Sequence, residues 1–315
     1  MRCRNVVAVA REMMDNTRNY LKKLGLPGGD LYDLPTSKKT FPDGAQYRIE
    51  VPTVNTPQAM KALLETAKDA GIIINRVDET YGIMRFTDKQ ILEFIDLAKQ
   101  YKCELTMSVG PRATYDTSAT VLTPQGVRIG YRLRGVEQLV RAVEDVKRAV
   151  EFGVRGILVY DEGLLWILGN MRKDSELPSD LHLKLSAHCG HGNPAAAKLM
   201  EDIGADTFNP VRDLQLPMMA ALRAVLKIPL DLHTDNPPGS GGFIRTYEAP
   251  EIARIAAPVH LKCGNSAVAG HGEMTGEKEG IRMAWQAELV VKMVKKYHPE
   301  AKQSTPGAKG LAIPK

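Results

Sequence analysis

The sequence predicts an α/β fold in which parallel strands alternate with helices and close into a (β/α)8 TIM barrel. Short segments rich in β-branched and aromatic residues recur along the chain, and most are followed by a helical pattern. With one exception, successive segments begin about 23 to 32 residues apart, the length of one strand-helix unit. Eight strands are expected to begin near Tyr47, Ile72, Glu104, Gly156, Leu181, Ala205, Ile228 and Ala257.

The clearest helix follows Gly135, where apolar side chains recur at three- and four-residue steps and charged side chains take the opposite side. Further helices are expected over residues 57–71, 88–102, 193–204 and 215–227. A doubly wound open sheet is the alternative fold. Because no GxGxxG turn follows the first strand, the barrel is favoured.

The chain divides into three predicted parts. Residues 1–46 form an N-terminal helix and loop extension, residues 47–300 form the barrel, and residues 301–315 form a C-terminal tail. The extension includes an amphipathic helical pattern over residues 4–24. The gap between the third and fourth strands is longer than the others by about one unit. Residues 111–135 are therefore interpreted as an insertion, either a hairpin lid or an oligomer contact.

Composition indicates a globular cytoplasmic protein. Hydrophobic residues make up 43% of the chain and charged residues 25%, and no apolar run approaches the roughly 18 residues that span a membrane. The net charge is only +5, with Lys and Arg spread among 37 acidic residues, so we expect no nucleic-acid surface and a small anionic substrate instead.

The cysteines lack CxxC spacing, which predicts a reducing compartment and no zinc ribbon. They are Cys3, Cys103, Cys189 and Cys263. Cys189 and Cys263 come just after predicted strands, so they are either a reactive or ligating pair or small buried side chains.

Residues 228–242, IPLDLHTDNPPGSGG, carry the densest chemistry of the sequence. The period-2 pattern of a strand places Asp231, His233 and Asp235 on one face. Asn-Pro-Pro then ends the strand, and a glycine-rich loop follows. Because active sites of such barrels lie at the carboxyl ends of the strands, this stretch is expected to open into the site.

His233 and Asp235 are the predicted metal ligands, since an imidazole and a carboxylate two residues apart on one face can bind one divalent cation. Glu50, Glu162 or His188 would complete a shell suited to Zn²⁺, Mn²⁺, Fe²⁺ or Mg²⁺. The alternative is an acid/base pair without metal. In either case His188 or Glu162 could carry the proton, and Glu50 could be a further ligand or base.

Lys262 ends the eighth predicted strand and has two possible roles. It could pair with the negative charge of the substrate, or it could form a Schiff base with a carbonyl substrate if it were desolvated at the barrel mouth.

Anion binding is predicted at the loops after the last two strands, where such barrels often bind phosphate through backbone N–H groups. The candidate residues are Ser240, Gly241, Gly242 and Asn265. Arg76, Arg212 or Arg245 could clamp a carboxylate instead.

Alternation also predicts a charged barrel interior. Arg48, Lys184, Asp231, His260 and Lys262 fall on inward faces, so ion pairs such as Asp231 with Lys184 or Lys262 are expected. The residues lower in the strands could form only a buried structural network.

Two stretches resemble known barrel families. Residues 197–241, which include the IPLDLHTD strand, resemble the late strands of metal-dependent carboxyltransferase and aldolase barrels. In that resemblance His233 matches the first metal histidine and Asp235 replaces the second. Residues 232–265 resemble the U32 peptidase family of presumed TIM barrels.

Together these features predict a homo-oligomeric, metal-assisted lyase, aldolase or isomerase that acts on a small anionic carboxylate or phosphate metabolite. The alternatives are a U32-like hydrolase with a metal-bound water and a non-catalytic binding or assembly protein.

Overall fold

A computed structural model describes residues 14–111, 123 and 130–315. Its strands form a closed barrel in the order β1 to β8, and every neighbouring pair is parallel, as predicted. The strands are β1 (Tyr47–Val51), β2 (Arg76–Asp78), β3 (Glu104–Ser108), β4 (Gly156–Val159), β5 (His182–Leu185), β6 (Thr207–Phe208), β7 (Leu230–His233) and β8 (Val259–Lys262).

Helices of the described residues cover the barrel and precede its first strand. They are α1 (Asp15–Lys23), α2 (Pro57–Asp69), α3 (Asp88–Tyr101), α4 (Gly135–Glu151), α5 (Glu162–Lys173), α6 (Pro194–Asp202), α7 (Leu216–Val225), α8 (Ala249–Ala256) and α9 (Glu277–Tyr297). Helices α5, α8 and α9 complete the alternation of strands and helices at positions for which the sequence analysis predicts no helix. Residues 4–13 of the predicted N-terminal helix lie outside the described residues, as does most of the predicted insertion, including 112–122 and 124–129.

Local sequence explains where the helices begin. The side chains of Thr56, Thr87, Asp161 and Asn193 each accept a hydrogen bond from a backbone N–H of the first helical turn. These bonds satisfy N–H groups that have no partner inside a helix, and each contributes about 1 kcal/mol. The caps fix the ends of the strand-to-helix loops, which in such a barrel hold the functional residues.

Side chains along each strand point alternately outward, toward the helices, and inward, into the barrel. Ile49, Val51, Val259 and Leu261 point outward and join the hydrophobic core beneath the helices. The intervening residues of β1 and β8 are polar and fully buried, which confirms the charged interior predicted from alternation.

The tail crosses the amino-terminal end of the barrel. Arg48 donates to the Ser304 hydroxyl at 2.9 Å and to the carbonyls of Lys309 and Gly310 at 2.9 and 3.0 Å. Ala312 N–H donates to Glu104 at 3.2 Å. The tail therefore satisfies charged groups at the floor of the barrel.

Candidate functional site

Eight charged side chains fill the barrel interior below the mouth, and their formal charges cancel. The carboxylates are Glu50, Asp78, Glu104 and Asp231, and the cations are Arg48, Arg76, Lys184 and Lys262. Burying so many charges is tolerable only when each has partners.

Arg76 lies at the centre of this network. Its Nη1 is 3.0 Å from both Glu50 Oε2 and Asp231 Oδ1, and its Nε is 2.7 Å from Glu104 Oε1. With 1% exposure and three carboxylate partners, Arg76 is not placed to clamp a substrate. The prediction of Arg76 as an anion-binding residue is not supported, because the interior acids occupy its guanidinium.

Two lysines bind further carboxylate oxygens of the network. Lys184 Nζ contacts Glu50 Oε1 and lies 2.8 Å from Asp78 Oδ2 and 3.5 Å from Asp231 Oδ2, which confirms the predicted pair of Asp231 with Lys184. Lys262 Nζ lies 2.5 Å from Glu50 Oε1 and 2.7 Å from Asp78 Oδ2. Both ammonium groups are thus held by carboxylates.

The network sets the protonation of its members. Burial lowers the pKa of Lys262, but Asp78 and Glu50 outweigh burial and hold that pKa well above its ordinary value. Burial would raise the pKa of Glu50, but Lys184, Lys262 and Arg76 keep it well below its usual range. Burial and the Glu50 charge raise the pKa of Asp78 to about 6. Lys262 is therefore an ammonium ion and not the free amine that a Schiff base requires.

Glu50, Asp231 and His260 bring three possible metal ligand atoms within 4.8 Å of one another. Arg76 Nη1, however, lies 3.0 Å from both carboxylates, and His260 Nδ1 lies 2.8 Å from Asp231 Oδ1. The guanidinium already supplies the positive charge, so this cluster belongs to the ion-pair network.

A small cavity lies above the network, among the carboxyl ends of the strands. Its free space is about 20 Å³, room for little more than one water molecule. The lining includes two cations and, within the described part of the chain, no Asp or Glu. Its polar side chains include Ser186, Asn209, Arg212, His233, Lys262 and Asn265.

His233 ends β7 opposite Lys262 of β8 and is 4% exposed. Burial, with Lys262 and Arg212 adding positive charge nearby, holds the pKa of His233 well below its ordinary value. Nε2 lies 3.5 Å from Asn209 Nδ2, while Nδ1 has no hydrogen-bond partner among the described residues. His233 is therefore a neutral imidazole with one nitrogen available to a ligand.

Arg212 follows β6 and is a desolvated cation. Its Nη2 lies 3.0 Å from His188 Nε2, and no carboxylate of the described residues forms an ion pair with it. Burial lowers the pKa of Arg212, yet an arginine stays protonated. Arg212 is partly buried, and a positive charge removed from water without a counter-ion is costly unless a ligand supplies the negative charge.

His188 lies in a stack of aromatic rings beside the cavity. Its ring centroid is 4.3 Å from that of Tyr131 and 4.3 Å from that of His271. Because the Arg212 guanidinium can only donate, His188 Nε2 accepts and must carry a lone pair. The predicted proton carrier thus holds Arg212 in place.

The predicted metal pair does not fit a resident metal. Asp235 Oδ2 accepts hydrogen bonds from Ser266 N at 2.7 Å and from the Ser266 hydroxyl, and Asp235 does not line the cavity. His233 faces two cations, which would repel a third. His233 Nδ1 and Asp235 Oδ1 have no hydrogen-bond partner among the described residues, as free metal ligands would. However, the described residues bring no third ligand atom close to these two.

Glu162 begins α5 in a separate cluster. Arg132 contacts its Oε2, and His191 Nε2 lies 2.6 Å from its Oε1. Burial raises the pKa of Glu162, but the His191 hydrogen bond and Arg132 bring it below the ordinary value. Glu162 does not line the cavity, so the structure does not bring this predicted acid/base residue together with His233.

The glycine-rich loop uses its own N–H groups. Ser240 and Gly242 donate to the carbonyl of Pro237 at 2.9 and 3.0 Å, and Gly241 donates to Pro238 at 3.3 Å. These donors are directed into the turn and not toward an anion.

Asn265, the other predicted anion-binding residue, does line the cavity, and its Oδ1 accepts from the Thr53 hydroxyl at 2.8 Å.

The two cysteines behave as small buried side chains. Cys189 contacts the Val159 carbonyl and Cys263 contacts the Glu50 carbonyl. Burial raises the pKa of the Cys189 thiol to about 12 and that of the Cys263 thiol well above its ordinary value. Neither thiol is a reactive thiolate.

Three residues at the mouth were not among the predicted site residues. Tyr131 comes from the end of the predicted insertion, Tyr160 follows β4, and His271 follows β8. None belongs to a periodic pattern. Only the position of Tyr160 just after a predicted strand could have indicated a role.

No protein-family model and no curated protein matches the chain. The U32 peptidase Mk0906 is a similar solved structure, with 16% identity over 65% of this chain and 74% of that chain and a TM-score of 0.41. For the YdjI aldolase from Escherichia coli K12 the identity is 12%, the coverage 85% and 93%, and the TM-score 0.43. A truncated 3-deoxy-D-arabino-heptulosonate 7-phosphate synthase from Thermotoga maritima is 13% identical, with coverage of 82% and 90% and a TM-score of 0.48. A U32 peptidase and an aldolase are thus among the similar structures, at identities of 16% and 12%.

Proposed function

We propose that the chain is a barrel enzyme that binds a small carboxylate or phosphate anion at Arg212 and transfers a proton with His233. One observation carries this proposal: an arginine that has no counter-ion among the described residues, and a neutral histidine with one nitrogen that has no partner among them, line the same cavity at the carboxyl ends of the strands. An isomerase or a lyase requires such a pair, because one group holds the substrate and the other moves its proton.

The proposed step needs only groups that line the cavity. Arg212 binds the anionic group of the substrate, and His233 Nδ1 removes a proton from an adjacent carbon. The electrons of the broken C–H bond move onto a substrate oxygen, where the fixed Lys262 ammonium stabilises the negative charge. Return of the proton to another carbon gives isomerisation, and loss of a leaving group gives a lyase reaction.

His233 acts as a base if its Nδ1 carries the lone pair. The proton then sits on Nε2 and must be accepted by Asn209. Turning the Asn209 amide by 180° directs its Oδ1, which otherwise has no partner in the described structure, toward Nε2–H. One rotation thus satisfies both atoms.

The test is solvent hydrogen exchange. A panel of small oxo acids and phosphorylated carbonyl compounds is incubated with the protein in D₂O and followed by proton NMR. We expect the wild-type protein to exchange carbon-bound protons of at least one of these compounds for deuterium. His233→Ala should slow the exchange about 10²- to 10⁴-fold, because it removes the base. Thermal denaturation of the same variant checks its fold. Equal exchange rates with and without His233 would refute the proposal.

Elemental analysis of protein purified without chelator tests the metal that the sequence predicts at His233 and Asp235; because the surroundings of these side chains do not fit a metal, we expect none. The homo-oligomeric state and the cytoplasmic location stay predictions. No helix among the described residues is long and apolar enough to cross a membrane.

A further inference from the structure

Three buried side chains beside the cavity form a chain of hydrogen bonds. Asn236 Nδ2 donates to the backbone carbonyl of Ser240. Asn265 Nδ2 donates to Asn236 Oδ1 at 3.4 Å, and the Thr53 hydroxyl donates to Asn265 Oδ1 at 2.8 Å. Thr53, Asn236 and Asn265 are at most 2% exposed, and of the three it is Asn265 that lines the cavity.

The Ser240 carbonyl sets the orientation of both amides. A carbonyl can only accept, so Asn236 must direct its NH₂ group toward Ser240 and its Oδ1 toward Asn265. Asn265 must then direct its own NH₂ group toward Asn236, which leaves its Oδ1 for the Thr53 hydroxyl. Rotating either amide alone by 180° would set two acceptor oxygens against each other. Asn265 is therefore held as an N–H donor.

Thr53 holds Asn265 from a strained position. It lies in the loop after β1 with φ +63°, in the left-handed region that a β-branched residue rarely adopts. A glycine would adopt this φ freely but would bring no hydroxyl. Strained conformations persist where the surrounding structure holds them, and they are frequent at functional sites. The strain thus falls on the residue whose hydroxyl orients Asn265.

The cavity needs a second donor of this kind. In the proposed step a negative charge develops on a substrate oxygen, and two of the three N–H groups of Lys262 are already directed to Glu50 Oε1 and Asp78 Oδ2, at 2.5 and 2.7 Å. Such a charge is stabilised best by several N–H groups fixed in advance. Asn265 Nδ2 has a second N–H besides the one given to Asn236, and no other acceptor among the described residues takes it. The free space of about 20 Å³ has room for one oxygen atom.

We propose that Asn265 and Lys262 together bind the oxo oxygen of a short oxo acid whose carboxylate is bound by Arg212, with Thr53 and Asn236 as positioning residues. This inference rests on the proposed function, because it completes the same step. The C–H bond next to the oxo group breaks and its proton passes to His233 Nδ1. The electron pair forms a carbon–carbon double bond, and the carbonyl pair moves onto the oxygen between Asn265 and Lys262.

Oxalate is the probe and acetate its control, with binding measured by calorimetry. Oxalate resembles the enolate of the shortest 2-oxo acids, because an anionic oxygen lies next to its first carboxylate. Acetate has the carboxylate alone. Asn265→Ala should weaken oxalate binding about 10- to 100-fold, since it removes a hydrogen bond to a charged group. Acetate binding should stay as in wild type. Thermal denaturation checks the fold of the variant.

Two variants of Thr53 test the positioning without touching Asn265. Thr53→Val keeps the β-branched shape and the strained φ but loses the hydroxyl, so the Asn265 amide can turn. It should weaken oxalate binding about 3- to 10-fold and leave acetate binding unchanged. Thr53→Ser keeps the hydroxyl and should bind both acids as wild type does.

The outcomes separate this inference from the proposed function. Unchanged oxalate binding in a folded Asn265→Ala protein, or equal losses for oxalate and acetate in Thr53→Val, would overturn the oxo-oxygen site and leave Arg212 and His233 in their roles. A wild-type protein that binds neither of these acids and no sulfate would overturn both.

Discussion

At the scale of single residues, function and stability make different demands on the cations of this barrel. Lys262 and Arg76 are surrounded by carboxylates and complete a neutral network. Arg212 has no such partner in the described structure. Paired buried charges are chiefly structural, whereas an unpaired one indicates a site that awaits a ligand.

Lys262 gives a prediction at this scale. Because Asp78 and Glu50 keep it protonated, borohydride in the presence of carbonyl compounds should trap no adduct at this residue. Lys262→Met should cost about 3–5 kcal/mol of unfolding free energy, since it leaves two buried carboxylates short of a partner. The exposed Lys292→Met, on α9, is the control and should change stability by less than about 0.5 kcal/mol. A trapped adduct that disappears in Lys262→Met would contradict this account.

The positions of some site residues could be predicted from the sequence and those of others could not, for a physical reason. Alternation shows which side of a strand a residue occupies, so the inward position of Lys184 and Asp231 followed directly. Alternation does not show which oxygen each cation will reach across the barrel. Arg76 therefore had a plausible position at a strand end, but only the closed barrel revealed its three carboxylate partners.

At the scale of elements, strands and capped helices were predicted well and loops were not. Periodicity located all eight strands, because each must bury an apolar face beneath helices. The residues over the cavity, Tyr131 and His271, come from segments without a period. Their positions depend on tertiary contacts with His188, which no local pattern encodes.

The tail gives the prediction at this scale. Gly153 has φ +108°, and a Cβ there would lie 2.1 Å from the carbonyl oxygen of Lys315. Gly153→Ala should therefore displace the end of the tail, which limited proteolysis would detect as faster cleavage within residues 301–315. Gly71→Ala is the matched control, because Gly71 also has a positive φ, +67°, but nothing lies within 4 Å of its Cβ position. The control should lose about 1–2 kcal/mol through backbone strain and keep the tail docked. Equal cleavage in both variants would show that the docked tail does not need Gly153.

At the scale of the whole molecule, the buried network should make stability depend on pH. Burial, followed by the positive charge of Arg76, lowers the pKa of His260 to about 4. Between about pH 6.5 and 4 the unfolded chain takes up this proton and the folded chain does not, so stability falls as pH falls. His233, with its lowered pKa, acts in the same direction. Asp78 opposes it between about 6 and 3.8, because its raised pKa lets the folded chain bind a proton first.

Asp235, whose pKa burial also raises, opposes the decline as well, while Glu50 and Glu104, whose pKa values are lowered, add to it below about pH 4.5. On balance the free energy of unfolding should decline from pH 6.5 to pH 4, with His260 contributing roughly 3 kcal/mol. Urea denaturation across this range measures the decline. His260→Gln should reduce its slope. A stability that stays constant or rises toward pH 4 would mean that the interior histidines are not held neutral.

The central claim is that the mouth of the barrel is an anion site built on Arg212, and sulfate binding by calorimetry tests it most directly. Arg212→Gln should abolish detectable binding and leave stability unchanged or slightly higher, because it removes a partly buried charge that has no counter-ion among the described residues. The exposed Arg282→Gln, on α9, should bind as wild type does. Undiminished binding by Arg212→Gln, or a large loss of stability in that variant, would contradict the account.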